Sequence, residues 1–245
     1  MAIHSLKAAL TAGGGVMLGS FLALGLLLGL KHALEADHLS TVATLASRSS
    51  SKRHTVGVAA AWGLGHAAAL VVLGGALVAL GATLPAAVVR AFELVVGIIL
   101  IALGFDVLRR LRRGRIHLHA HEHGGAWHLH AHGHAPQSDP DHHDHAHGRA
   151  LLGRSLLIGG VHGLAGSAAV AVLTLPAGSI PLALAYLLVF GVGTVLGMIA
   201  LSLAVSLPLT LSIRNSERAR LALFSSLSVV DFALGAWIVF RHLPL

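Results

Sequence analysis

The chain has 245 residues, is 55% hydrophobic and 11% charged, and carries a formal charge of +7. Soluble domains hold about 25% charged residues, so a soluble fold of this size would have nowhere to hide its apolar surface. Cysteine is absent, which excludes disulfide frameworks, thiol redox chemistry and thiolate copper handling, and leaves imidazole, carboxylate and backbone oxygen as metal ligands.

Six membrane-spanning helices are expected in chain order. The first, Val16 to Leu39, follows Lys7 and resembles a signal peptide, but it runs into Lys31-His32-Ala33-Leu34-Glu35-Ala36-Asp37-His38 without a convincing cleavage site and reads as a retained span. Ionisable groups in a span cost a few kcal/mol each, so His32, Glu35, Asp37 and His38 should face a cavity, a partner or an ion. At about 100° per residue, His32, Glu35 and His38 share an arc of about 120°, while Asp37 lies nearly opposite Glu35. A regular helix therefore cannot aim all four inward: either the helix is distorted, as at many transporter sites, or Asp37 serves another purpose.

A polar run, Ser47 to Ser51, precedes the second span, Val56 to Leu80, which holds His66 within Gly63-Leu64-Gly65-His66. Small neighbours there let another backbone approach closely, and His66 is a candidate ligand beside the first cluster. The break Gly81 to Pro85 leads to the third span, Val88 to Val107, which carries Glu93; Asp106 is placed for a helix-end ion pair with Arg109 or Arg110.

Residues 109–150 form a low-complexity loop with twelve histidines between His117 and His147. Its composition predicts disorder and metal binding, and near pH 7 most of these imidazoles are neutral and competent as ligands. The fourth span, Leu151 to Leu175, contains His162. Pro176 to Pro181 break the chain before the fifth span, Leu182 to Leu207, and the charged turn Arg214 to Glu217 precedes the sixth, Leu221 to Phe240, with Asp231 inside it.

If the spans alternate, one side of the membrane receives Arg48, Lys52, Arg53, the five arginines from Arg109 to Arg115, Arg149, Arg154, Arg214, Arg218 and Arg220, and the other only Lys7, Arg90 and Arg241. The positive-inside rule then makes the His-rich loop cytoplasmic and puts both termini outside, in the plasma membrane. The arginines flank spans instead of forming a face with interleaved aromatics, so nucleic acid is not an expected partner. The lipid bilayer and a transition-metal ion are.

The chain also repeats itself. Leu28 to Leu34 aligns with Ile158 to Leu164, an offset of 130 (28 to 158); Trp62 to His66 aligns with Phe190 to Thr194, an offset of 128 (62 to 190); Leu103-Gly104 falls on Leu234-Gly235, an offset of 131 (103 to 234). Three spans per half is an odd number, so the second half is inverted, and such architectures put the substrate near the midplane between halves. His162 is the counterpart of His32, and Ser167 stands where Asp37 stands. The expected fold is an all-α membrane protein of six helices: one three-helix repeat in 1–108, the disordered cytoplasmic loop in 109–150, and the inverted repeat in 151–245.

Imidazoles with one or two carboxylates suit Ni²⁺, Co²⁺, Zn²⁺ or Cu²⁺ better than Ca²⁺ or Mg²⁺. The segment His32-Ala33-Leu34-Glu35-Ala36-Asp37-His38 resembles the H-A-x-D-A-D-H signature of the nickel/cobalt transporter family, with Glu35 in place of the first Asp. Gly63-Leu64-Gly65-His66 resembles that family's L-G-H-S-T signature, with Ala67 and Ala68 where Ser and Thr are usual. The six-span layout, His162 to Ser167 and the His-rich loop are similar to the shorter relatives, urease-accessory membrane proteins and nickel/cobalt exporters. The resemblance implies transport of Ni²⁺ or Co²⁺ as substrate, with His32, Asp37, His38 and His66 as metal contacts. Glu35 is expected as a ligand or a ligand's hydrogen-bond partner, and His162, as the repeat counterpart of His32, as a further contact; without an ATP-binding motif the transport is expected to be gradient-driven. The first signature favours uptake; export is the alternative. No resident cofactor is expected.

A membrane metallopeptidase would need H-E-x-x-H, which does not occur, and no G-x-x-x-x-G-K-[ST] supports ATP hydrolysis. The expectation is a non-enzyme. A non-transporting membrane protein that binds metal or docks a cytoplasmic metallochaperone is the remaining rival.

Overall fold

The computed structural model describes the backbone of residues 2–46, 52–112, 117–123, 126–132, 146–173, 179–215 and 217–243, and within these the side chains of 15, 17–45, 53–112, 151–166, 179–206 and 221–243. The polar run Ser47 to Ser51, the chain between Leu173 and Ser179, the side chain of Ser167 and the side chains of all twelve loop histidines lie outside the described side chains.

The first expected span is two helices, not one. α1 (Ala2–His32) stops at Ala33-Leu34-Glu35, and α2 (Ala36–Ala46) leaves at a bend of 61° between Met17–His32 and Ala36–Leu45. The second span is a continuous rod: α3 (Lys52–Ala69), a π-helical turn over Leu70–Gly74, and α4 (Gly75–Leu80). Gly81 ends it at φ 59°, where its N–H bonds the Val78 carbonyl and the Ala82 N–H bonds that of Leu77; only a residue without Cβ enters this left-handed cap cheaply. α5 (Ala86–Arg112) finishes with Arg109, Arg110 and Arg112 against its own free carbonyls, and the expected ion pair of Asp106 is made with Arg110 at 2.6 Å. α6 (Ala146–Leu173), α7 (Ile180–Asn215) and α8 (Glu217–His242) complete the bundle.

Among the described residues four helices are long and apolar enough to cross a membrane, Arg53–Leu80, Ala86–Arg112, Ile180–Ser206 and Leu221–His242, and the bent pair makes a fifth. The remaining expected span falls on α6, whose last turns have undescribed side chains. Leu27, Val72, Ile98, Leu157, Val192 and Phe240 point outward although they are large and apolar, the pattern of helices solvated by lipid.

One expectation about the loop is corrected. Instead of disorder throughout, β1 (His117–His123) and β2 (Ala126–His132) pair antiparallel, with His117 opposite His132, His119 opposite His130 and His121 opposite His128. The cause is legible in retrospect: His alternates with other residues at period two on both sides of Gly124-Gly125, a hairpin signal inside a composition otherwise typical of disorder.

Helices pack in pairs, α3 with α6, α5 with α8 and α1 with α7. Glycine sets the distance. A Cβ on Gly29 of α1 would overlap the Phe190 carbonyl of α7, and one on Gly193 would overlap the Leu26 carbonyl. In the α3–α6 pair, a Cβ on Gly159 would overlap the Trp62 carbonyl, and one on Gly65 the Leu156 carbonyl. Close backbone contact of this kind replaces the hydrophobic driving force that lipid removes.

Candidate metal centre

The break in the first span builds the site. Its hydrogen bonds tighten to i→i+3, Leu34 N–H to the Lys31 carbonyl at 2.9 Å and Glu35 N–H to the His32 carbonyl at 3.1 Å, before α2 restarts with Leu39 N–H on the Glu35 carbonyl at 2.8 Å. Neither Gly nor Pro lies at the break. Ala33 is fully buried against Gly197 of α7, so packing holds the kink. The bend removes the angular conflict of a straight helix: Asp37 now opens the first turn of α2, where the helix dipole favours a carboxylate.

Four imidazoles gather here. The ring of His38 lies 4.5 Å from that of His32, 5.0 Å from His66 and 5.8 Å from His162. Trp62, one turn before His66 on α3, closes the group at 5.4 Å from His38 and 5.6 Å from His162. His38, His66 and His162 are buried, His32 is nearly so, Asp37 is partly exposed, and Glu35 is 58% exposed at the mouth. One nitrogen each of His32, His38 and His66 lies within a 4.8 Å circle, and Glu35, Asp37 and His38 form a second such group. The packing of α6 on α3 brings in His162, because Gly163 seats on the His66 carbonyl and on Ala69.

The partners fix which ring nitrogens carry lone pairs. His32 Nδ1 meets Glu35 Oε1 at 3.0 Å, His38 Nδ1 meets Asp37 Oδ1 at 2.9 Å, and His162 Nδ1 meets the Ile158 carbonyl at 3.3 Å. Carboxylates and carbonyls only accept, so each Nδ1 carries the proton and each neutral ring keeps its lone pair on Nε2. Those of His38 and His162, and Nδ1 of His66, are buried with no hydrogen-bond partner. Left so, each costs about 1–3 kcal/mol. His32 Nε2 stands 3.1 Å from His66 Nε2. Two nitrogens each about 2.1 Å from a shared ion, at angles between octahedral and tetrahedral, stand about 3.0–3.4 Å apart, so the spacing fits a metal as well as a hydrogen bond. The donor set suits a borderline transition metal.

No family profile and no solved structure matches the chain. Among curated proteins, it is 35% identical over 205 residues to urease accessory protein UreH of Bacillus sp. (strain TB-90), covering 80% of each chain. The chain belongs to the UreH family. Membership places it with urease accessory proteins and not with the membrane metallopeptidases, and its apolar helices make it a membrane protein.

All six residues singled out in the sequence, His32, Glu35, Asp37, His38, His66 and His162, meet at this one place. Glu93 and Asp231 do not: Glu93 is half-buried on α5, and Asp231 is buried against α2. Trp62 was missed as a wall of the site. Its spacing of one helical turn from His66 was the available signal.

Proposed function

We propose that this UreH-family protein carries Ni²⁺ or Co²⁺ inward across the plasma membrane, holding the ion among His32, His38, His66 and His162 while Glu35 and Asp37 orient His32 and His38. The observation that carries the reading is the convergence of four imidazole rings, three of which, those of His32, His38 and His162, have their tautomers set by acceptors behind them, the arrangement metal-binding histidines use. The urease-accessory relative and the resemblance of both signatures to nickel/cobalt transporters narrow the ion. In reconstituted vesicles of known orientation, Ni²⁺ or Co²⁺ should move from the face bearing the termini to the face bearing the loop. Binding without movement would leave a docking protein, and movement only the other way an exporter.

The same reading takes the chain as two inverted halves. The glycine contacts support it: Gly29 on Phe190 and Gly159 on Trp62 are related by the offsets of the sequence repeat, as are Gly193 on Leu26 and Gly65 on Leu156. The loop is cytoplasmic in this scheme. A label at either terminus should be reached from outside intact cells and one at Ser138 should not; the reverse pattern would turn the topology over.

The loop collects metal and does not gate it. Tethered ligands raise local concentration without adding a contact at the central site. Deleting Ile116 to His147 should keep maximal flux while shifting its dependence on metal concentration. Loss of flux at saturating metal in a normally inserted chain would assign the loop to the translocation path.

A further inference from the structure

Asp231 is fully buried, on α8. Among the described residues no other Asp or Glu is buried, and a carboxylate in a membrane bundle needs a reason to be there. It accepts from two hydroxyls on α2: Ser40 Oγ bonds Oδ1, and Thr44 Oγ1 bonds Oδ2 at 2.7 Å. Ser40 and Thr44 are one turn apart on one face of α2. Gly104 of α5 makes the room, since a Cβ there would press on Asp231 Cβ and the Ser228 carbonyl.

We propose that Asp231 is a positioning residue for metal binding: by holding Ser40 and Thr44 it fixes the rotation and register of α2, and so presents Asp37 and His38 to His32 and His66. This rests on the reading of the imidazole cluster as a metal site. The limb needs such a device. α2 is 11 residues long, cut off from α1 by the break, and its apolar contacts, Val42 and Leu45 against Val58, Trp62 and Met198, are non-directional. Packing of that kind holds the limb to the bundle but resists sliding and rotation weakly. Two hydrogen bonds to the two oxygens of one carboxylate permit one register. His38 lies two residues before Ser40, so a shift of α2 moves its ring out of the group within which one nitrogen each of His32, His38 and His66 lies inside 4.8 Å.

The test uses the full-length chain in detergent, Co²⁺ as probe, and its visible absorption as readout, taken as the difference from His38→Ala so that the loop histidines cancel. Asp231→Ala and the pair Ser40→Ala with Thr44→Ala should each weaken Co²⁺ binding at the central site by about tenfold or more, the usual cost of removing a group that orients ligands, and alter the spectrum. In vesicles they should raise the half-saturating metal concentration more than they lower maximal flux. Asp231→Asn should be largely restored, because its amide oxygen accepts from one hydroxyl and its NH₂ donates to the other. If Asp231→Ala fails to insert, the hydroxyl pair alone carries the test. Wild-type affinity and spectrum in well-folded Asp231→Ala, or in the hydroxyl pair, would overturn the proposal, as would Asp231→Asn behaving like Asp231→Ala. A wild-type chain with no Co²⁺ difference spectrum against His38→Ala would instead sink the reading of the cluster as a metal site.

Discussion

Replacing His38 with Ala is expected to lower Ni²⁺ flux by more than about a hundredfold in chains that insert and purify normally. His38 is the hub: its ring touches those of His32, His66 and His162, and its Nε2 is buried without a partner. Removing a group that merely orients a ligand costs about 10–100-fold, and removing the ligand should cost more. Asp37→Asn should fall in that lower range, since Asn can still accept from His38 Nδ1 but can also flip its amide and turn the tautomer around. Glu35→Asp, which restores the commoner residue of the nickel/cobalt signature, should keep most activity. The measurement is initial flux in vesicles at matched protein density. Normal flux in His38→Ala would remove the cluster from the transport path.

The largest effect on folding is expected from a single methyl group. Gly159→Ala puts a Cβ onto the Trp62 carbonyl, in the closest part of the α3–α6 contact, and neither backbone can yield without moving His66 and His162 apart. Overpacking a core costs about 1–3 kcal/mol when side chains can adjust; here the obstacle is backbone, so the loss should exceed that range. Gly153, six residues earlier on the same helix, has nothing within 4 Å of its Cβ position. Gly153→Ala should therefore be neutral or stabilising, by up to about 1 kcal/mol, because Ala is the better helix residue. Thermal unfolding of the two variants in detergent checks the contrast. Equal stability would mean that α3 and α6 do not pack as closely as described.

The angular argument at His32, Glu35, Asp37 and His38 said that a straight helix could not serve all four, and α1 does break among them. The place of the break was not readable, because Ala33-Leu34-Glu35 holds no Gly or Pro and the kink depends on Gly197, far away in sequence. His66 announced itself by polarity inside an apolar span. Trp62 did not, since a tryptophan there reads as ordinary core. Ser40 and Thr44 lie just past the first expected span and drew no reading, because their partner, Asp231, is 191 and 187 residues distant. Composition hid the hairpin β1–β2 within a segment biased toward disorder, although its period-two pattern was present. What a local pattern specifies was legible; what depends on one helix meeting another was not.

The central claim is that the ion sits among core imidazoles. It is tested most directly by X-ray absorption on Ni²⁺ bound to a chain whose twelve loop histidines, together with His4, His54 and His242, are replaced by Gln, leaving the four core histidines as the only imidazoles. The account predicts one tightly bound ion per chain, with at least three imidazole nitrogens at about 2.0–2.1 Å, as first-row metal–histidine bonds require, and loss of that signal on His38→Ala. An ion surrounded by oxygen alone, or no tight binding once the loop histidines are gone, would contradict it.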